Sequence, residues 1–138
     1  PAAPPNPTNV TGVKALTGRN TINVAGCPPH PDWIVWVVAQ LLMGKAVDLD
    51  QDGRPTALYG RSIHGACPRR GSATATTLGS DGLCLARIGC RGPRAKAPCP
   101  SSLFNGGRNW CIGANAPCIG CTESGFPGPD RFFRQDYL

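Results

Sequence analysis

The chain is expected to be mostly irregular, with a few short α-helices and one short strand near its start. Three observations lead there. Its 138 residues include 18 Gly and 15 Pro, which break almost every stretch. Aromatic residues make up 7%, poor material for a large apolar core. Eight cysteines offer disulfides, zinc or iron-sulfur clusters as support in place of burial. Seven of them lie between His64 and Cys121, and Cys27 stands alone upstream.

Taken in order, Pro1 to Asn20 has no periodicity and is read as loop or linker. The first residues match neither a translation start nor a targeting segment, so the chain is expected to be a piece of a longer product. Thr21 to Ala25 is β-branched and alternates apolar with polar, the pattern of a short strand, and Gly26 ends it. Pro31 suits a first helical turn and Asp32 the positive end of the helix dipole, so a helix is expected over Pro31 to Met43, with Gly44 as its stop. That segment holds Trp33, Ile34, Val35, Trp36, Val37, Val38, Leu41, Leu42 and Met43, apolar nearly all round. It is too short to cross a membrane, for which about 18 residues are needed. In a chain this small it requires cover from a partner subunit or a missing domain.

Asp48 to Pro55 is turn-rich. Asp48, Asp50, Asp52 and Gly53 match the opening of a calcium loop, but Tyr59 stands where such a loop needs Glu, and an ordinary turn is expected. Ala57 to Ser62 fits a short strand or helix, and Leu83 to Ile88 a single helical turn between Cys84 and Cys90. From Arg91 to Leu138 mostly loop is expected, Ser124 to Pro129 cannot be regular, and Phe132, Phe133, Tyr137 and Leu138 are read as an apolar tail docking on a surface.

The formal net charge is +6. From Arg54 to Arg108 there are nine basic residues against one acid, Asp81, so the excess sits on the cysteine-rich stretch. It is either a solvated basic face or a set of cations offsetting the negative charge of thiolate-ligated clusters. No aromatic and basic interleaving of the kind found in nucleic-acid readers is present, and no nucleic acid is expected as a partner.

The cysteines admit three chemistries. Disulfides suit the even count but explain neither His64 nor the prolines after Cys27, Cys67 and Cys99. In ferredoxins a proline after a cluster cysteine stiffens the turn. Zinc favours paired Cys-x2-Cys knuckles, and only Cys118 and Cys121 make one. The other successive separations from Cys67 to Cys118 are 17, 6, 9, 12 and 7 residues. Irregular gaps suit a cuboidal cluster, which collects ligands from separate turns.

The residues Ile22-Asn23-Val24-Ala25-Gly26-Cys27-Pro28-Pro29-His30-Pro31-Asp32-Trp33, Gly53-Arg54-Pro55, Ile63-His64-Gly65-Ala66-Cys67-Pro68, Leu83-Cys84, Gly89-Cys90-Arg91-Gly92-Pro93 and Pro117-Cys118-Ile119-Gly120-Cys121 stand in order along nearly the whole chain. In them the chain resembles the C-terminal, cluster-binding half of the nickel-iron hydrogenase small subunit, including its nickel-iron-selenium branch. The resemblance implies residues 1–26 as linker and final strand of a missing flavodoxin-like domain, and residues 27–138 as the cluster-binding domain.

It further implies that Cys27 is one ligand of a shared proximal 4Fe-4S cluster, the others coming from the N-terminal half of the small subunit. His64, Cys67, Cys84 and Cys90 match the distal 4Fe-4S cluster. Cys99, Cys118 and Cys121 match the medial cluster. Many relatives have proline where this chain has Cys111; the cysteine implies a four-thiolate medial 4Fe-4S cluster, with 3Fe-4S expected if Cys111 does not ligate. The chain would then relay electrons during reversible hydrogen oxidation, with no catalytic residue of its own. Its expected partners are a large subunit with the nickel-iron centre, forming a heterodimer, and a cytochrome or other acceptor. A periplasmic or membrane-associated location is implied, without excluding the cytoplasm. The different class that stays open is a ferredoxin-like iron-sulfur module of another redox complex.

Overall fold

In the computed structural model, residues 8–127 are described. They form four short α-helices, α1 (Val13–Thr17), α2 (Pro31–Leu42), α3 (Thr56–Tyr59) and α4 (Cys99–Ser102), with 3-10 turns at His64–Ala66 and Ala86–Ile88. Backbone pairing among these residues is limited to isolated bridges, Leu49 with Pro55, Ser62 with Lys96, Thr74 with Cys84 and Phe104 with Asn109. The expected apolar tail at Phe132 to Leu138 lies outside the described residues.

Two expectations need correction. The strand at Thr21–Ala25 is not formed. A strand exists only with a neighbour for its N–H and C=O groups. Here the segment is hooked instead by the aspartate-rich turn: the Asn23 amide donates to Gly53 O at 2.8 Å, and Asn23 Nδ2 to Asp52 O at 2.6 Å. The second correction is α1, inside the stretch read as loop. Gly18 caps it in the left-handed region with φ of 69° and donates to Lys14 O, and none of its residues is buried. Five residues, none of them buried, are too few to leave a periodicity to read.

α2 forms as expected and starts at a proline. His30 is its N-cap: Nδ1 accepts from the Asp32 amide at 3.1 Å, which leaves Nε2–H to donate to Leu103 O at 2.5 Å. His30 is 8% exposed and packs its ring against Trp33, 5.5 Å between centroids. Trp33 donates its indole N–H to Ser102 Oγ at 3.0 Å. The start of α2 is therefore bolted to α4 and the residue after it.

Only Trp33 and Val37 of α2 are buried. Ile34, Val35, Val38, Leu41 and Leu42 are exposed, Leu42 at 83%. The uncovered apolar face expected from the sequence is present on the described residues. No helix among them is long and apolar enough to cross a membrane.

The core gathers Trp33, Tyr59, Ile63, Leu85, Trp110 and Ile112 together with the sulfurs of Cys90, Cys99 and Cys118. Burying a side chain such as Leu85 fully is worth about 1.5–3 kcal/mol. With so few large side chains, polar bolts carry much of the definition of this fold.

Candidate metal centres

All eight cysteines carry free thiols. Among the described residues, no group of three or more His, Cys, Asp or Glu stands placed to hold a single metal ion. The thiols nevertheless fall into sets that feel one another's charge. Cys67, Cys84 and Cys90 form one set. Cys99, Cys111, Cys118 and Cys121 form a second, in which Cys118 also lies against Cys90 of the first. Cys27 lies against Cys121 of the second set.

The first set is built by turns. The His64 amide donates to Gly92 O at 2.9 Å, and the Cys67 amide to His64 O at 3.2 Å, so the 3-10 turn delivers Cys67 one turn after His64. Cys84 is held in place by the Thr74 bridge, its N–H donating to Ala73 O and its C=O accepting from Ala75, both at 2.8 Å. A Cβ on Gly92 would sit 3.3 Å from Cys90 Sγ and 3.6 Å from His64 N, so a side chain there would make the sulfur give way by a few tenths of an ångström. His64, Cys67 and Cys84 are half-buried, and Cys90 is buried.

In the second set Cys99 opens α4 and is buried, as is Cys118, while Cys121 is half-buried and Cys111 exposed. Burial pushes Cys99 up to about 12, and its neighbours Cys121 and Cys111 push the same way. Burial also raises Cys118 and Cys121, opposed by the N–H of Gly120 for the former and of Cys27 for the latter. Cys90 is raised by burial against the N–H groups of Gly92 and Cys118. Thiols so placed resist ionisation unless a cation compensates them, while the N–H groups aimed at sulfur favour thiolate. That combination of sulfur donors and N–H···S bonds fits iron-sulfur clusters, whose potentials are set by such contacts.

The Cys27 turn is tight for a physical reason. Gly26 has φ of 155°, and a Cβ there would meet Pro29 Cα at 2.6 Å and Pro28 O at 2.8 Å. Tyr59, 1% exposed, donates its hydroxyl to Ala25 O at 2.8 Å and so holds this turn to the core beside Cys99 and Cys121.

Arg54, which the sequence places in a motif and in the basic excess without giving it a role, is 4% exposed. Its Nε donates to Asp50 Oδ2 at 2.9 Å, and its Nη1 to Thr122 O at 2.7 Å and Glu123 Oε1 at 3.2 Å. Asp52 lies 3.4 Å from Nη2, and the guanidinium sits 5.4 Å over the Tyr59 ring. The aspartates that resembled a calcium loop thus surround an arginine. Burial pushes Asp50 up, but the amide, side chain and charge of Arg54 outweigh it and hold the carboxyl below its usual range. The signal available in the sequence was the i,i+4 pair of Asp50 and Arg54.

Arg69 also has a role not assigned from sequence. It donates to Leu83 O at 3.3 Å, next to Cys84, and to Asn115 Oδ1 at 2.5 Å, strapping one set to the other.

A family profile described as the C-terminal part of the NiFe/NiFeSe hydrogenase small subunit matches residues 59–134. The periplasmic NiFe hydrogenase small subunit of Solidesulfovibrio fructosivorans is 41% identical over 132 residues, covering 90% of this chain and 42% of that relative. The periplasmic NiFeSe hydrogenase small subunit of Desulfomicrobium baculatum is 39% identical over 145 residues, 91% of this chain and 45% of the relative. The chain thus spans less than half the length of these relatives. Among solved structures, the recombinant NiFeSe hydrogenase of Desulfovibrio vulgaris Hildenborough superposes with a TM-score of 0.85 at 38% identity, over 98% of this chain and 55% of that one.

Proposed function

Because the chain belongs to the family formed by the C-terminal part of NiFe/NiFeSe hydrogenase small subunits, we propose that it is the electron-relay part of a hydrogenase. In this reading it passes electrons between a nickel-iron site on a large subunit and an external carrier during reversible hydrogen oxidation. Iron-sulfur clusters, when bound, supply one-electron acceptance and release.

His64, Cys67, Cys84 and Cys90 would hold the distal 4Fe-4S group. Cys99, Cys111, Cys118 and Cys121 would hold the medial one, as 4Fe-4S. Cys27 would contribute one ligand to a proximal group completed by the N-terminal half of the small subunit. The observation that carries this is the division of the thiols: three near the His64 turn, four around α4 and the Cys118 turn, and Cys27 alone against Cys121.

The chain's own residues orient and insulate. Tyr59 and Arg54 hold the Cys27 and Cys121 turns together. The N–H groups of Gly92, Cys118, Gly120 and Cys27 direct partial positive charge at ligand sulfurs, which favours the reduced state of a bound group. The exposed face of α2, just after Cys27, is the side that the N-terminal half or the large subunit would cover. The division of residues 1–26 from 27–138 rests on the same reading. The names of the relatives support a periplasmic location; a membrane-associated location and a cytochrome as one acceptor class rest on the family resemblance alone. A ferredoxin-like module would have no use for the α2 face.

The test is purification of the intact assembly. Copurification of a nickel-containing large subunit, with iron and acid-labile sulfide for two complete clusters on this chain's ligands, supports the reading. Zinc or disulfides in their place would sink it.

A further inference from the structure

The contacts between the thiol sets place them in a row. Cys27 lies against Cys121, and Cys118 against Cys90, so the α4 set is in the middle and the His64 set is an end. Cys27 is the opposite end and needs ligands from elsewhere to make a site. An electron leaving through this chain departs past His64, Cys67 and Cys84, all of them half-buried.

Arginines border that end. Arg61 is exposed and bends its Nη2 to Gly65 O at 2.7 Å, the residue after His64. Arg70 is exposed on the turn whose amide bonds Cys67 O at 3.1 Å. Arg87 is exposed on the 3-10 turn between Cys84 and Cys90. Between Arg54 and Arg108 the one acid is Asp81, and its carboxylate accepts from Asn115. Arg69 is not part of this edge, because its guanidinium is turned to carbonyls and Asn115.

We propose that Arg61, Arg70 and Arg87 form a docking collar for an acidic protein that carries single electrons. The proposal rests on the electron-relay reading above and adds the chemistry of the partner. Among the described residues these arginines make no ion pair; surface cations add little to the stability of a fold, but they raise the encounter rate with an oppositely charged protein by about 10-fold to 1,000-fold at low salt. Such docking is held in part by charge, so it weakens once the Debye length falls to about 3 Å at 1 M salt. A protein is favoured over an anionic membrane because the three arginines lie within a few residues of His64, Cys67 and Cys84, the set proposed to hold a redox centre, where a carrier must come close and leave again.

The experiment uses the intact assembly, reduced chemically so that hydrogen chemistry is not required. Electron transfer is timed to one haem protein in two charge forms: basic cytochrome c, and the same cytochrome with its lysines succinylated to make it acidic. The acidic form is expected to be reduced about tenfold faster or more at low ionic strength, with the gap closing at 1 M salt. The triple variant R61E/R70E/R87E should reverse the preference. The double variant R70E/R87E, which leaves the Arg61 to Gly65 bond in place, should abolish it.

Equal rates for the two forms at low salt, or variants that leave the preference unmoved, overturn the collar. Binding to anionic vesicles that the triple variant loses, without any preference between the cytochromes, also overturns it and assigns the arginines to a membrane. Hydrogen-dependent reduction of benzyl viologen, measured separately, tests the hydrogenase reading. Its loss in the unmodified assembly would sink that reading while the cytochrome preference still stood.

Discussion

The backbone N–H of Cys118 donates to the Sγ of Cys90 at 3.4 Å, and the N–H of Arg91 returns a bond to Cys118 O at 2.7 Å. A residue of one thiol set is thus hydrogen-bonded to a sulfur of the other. The N–H of Gly92 is directed at the same sulfur, and a Cβ there would lie 3.3 Å from it. Gly92→Ala should shift the magnetic spectrum and raise or lower the potential of the His64-end cluster while leaving the middle one unchanged, at a stability cost of about 1–3 kcal/mol. Redox titration followed by electron paramagnetic resonance reads both. Equal shifts at both clusters would mean that the two sets are not separate.

Cys111 is the exposed member of the middle set. Cys111→Pro should convert that centre to a three-iron cluster, seen as a new signal in the oxidised protein, and raise its potential because one thiolate charge is gone. An unchanged spectrum would remove Cys111 from the ligands.

Arg54 compensates Asp50 and Glu123, which are themselves 18% and 28% exposed at the side chain. Arg54→Met should cost about 2–3 kcal/mol, below the roughly 3–5 kcal/mol for a fully buried pair because water reaches the carboxylates. Arg54→Lys should recover part of the loss, since one ammonium cannot bond Asp50, Thr122 and Glu123 together. Denaturant unfolding of the intact small subunit measures both.

Tyr59→Phe removes the hydroxyl bond to Ala25 O and should cost about 0.5–1.5 kcal/mol. Loosening the Cys27 turn should also weaken magnetic coupling between the proximal and middle clusters, with the spectrum of the His64-end cluster unaltered. Coupling that stays at full strength would confine Tyr59 to packing.

Cluster assembly should respond to pH with a definite sign. The folded thiols of Cys90, Cys99, Cys118 and Cys121 are raised above the ordinary value of 9.0, Cys99 to about 12. They are protonated at neutral pH and ligate only as thiolates, so insertion of iron and sulfide should release protons and accelerate as pH rises from 7 to 9. Without clusters the sign for stability is opposite. Unfolded thiols ionise first, so the cluster-free fold should lose stability as pH rises from about 9 towards 12. Proton release on a pH-stat and denaturant midpoints check the two.

The parts of the fold that were legible are those encoded within a few residues. Pro31 and Asp32 announce the start of α2, and its apolar side chains announce the exposed face that the structure bears out. The turn at Asp48 to Pro55 and the helical turn before Cys90 were legible for the same reason. Two local signals misled. Thr21–Ala25 has strand propensity without a strand to pair with, and α1 is too short and too exposed to leave a period.

The cysteine order, the prolines beside cysteines and the basic excess around them were determined by the sequence alone, and with the motif order they were enough to identify the family. The tertiary structure decided which distant residues meet. Cys27 comes against Cys121, Cys118 bonds Cys90, and Arg54 closes onto Glu123. Local propensity acts through neighbours in the chain, whereas these contacts close long loops. Their energy comes from burial and charge pairing, and no spacing in the sequence records it.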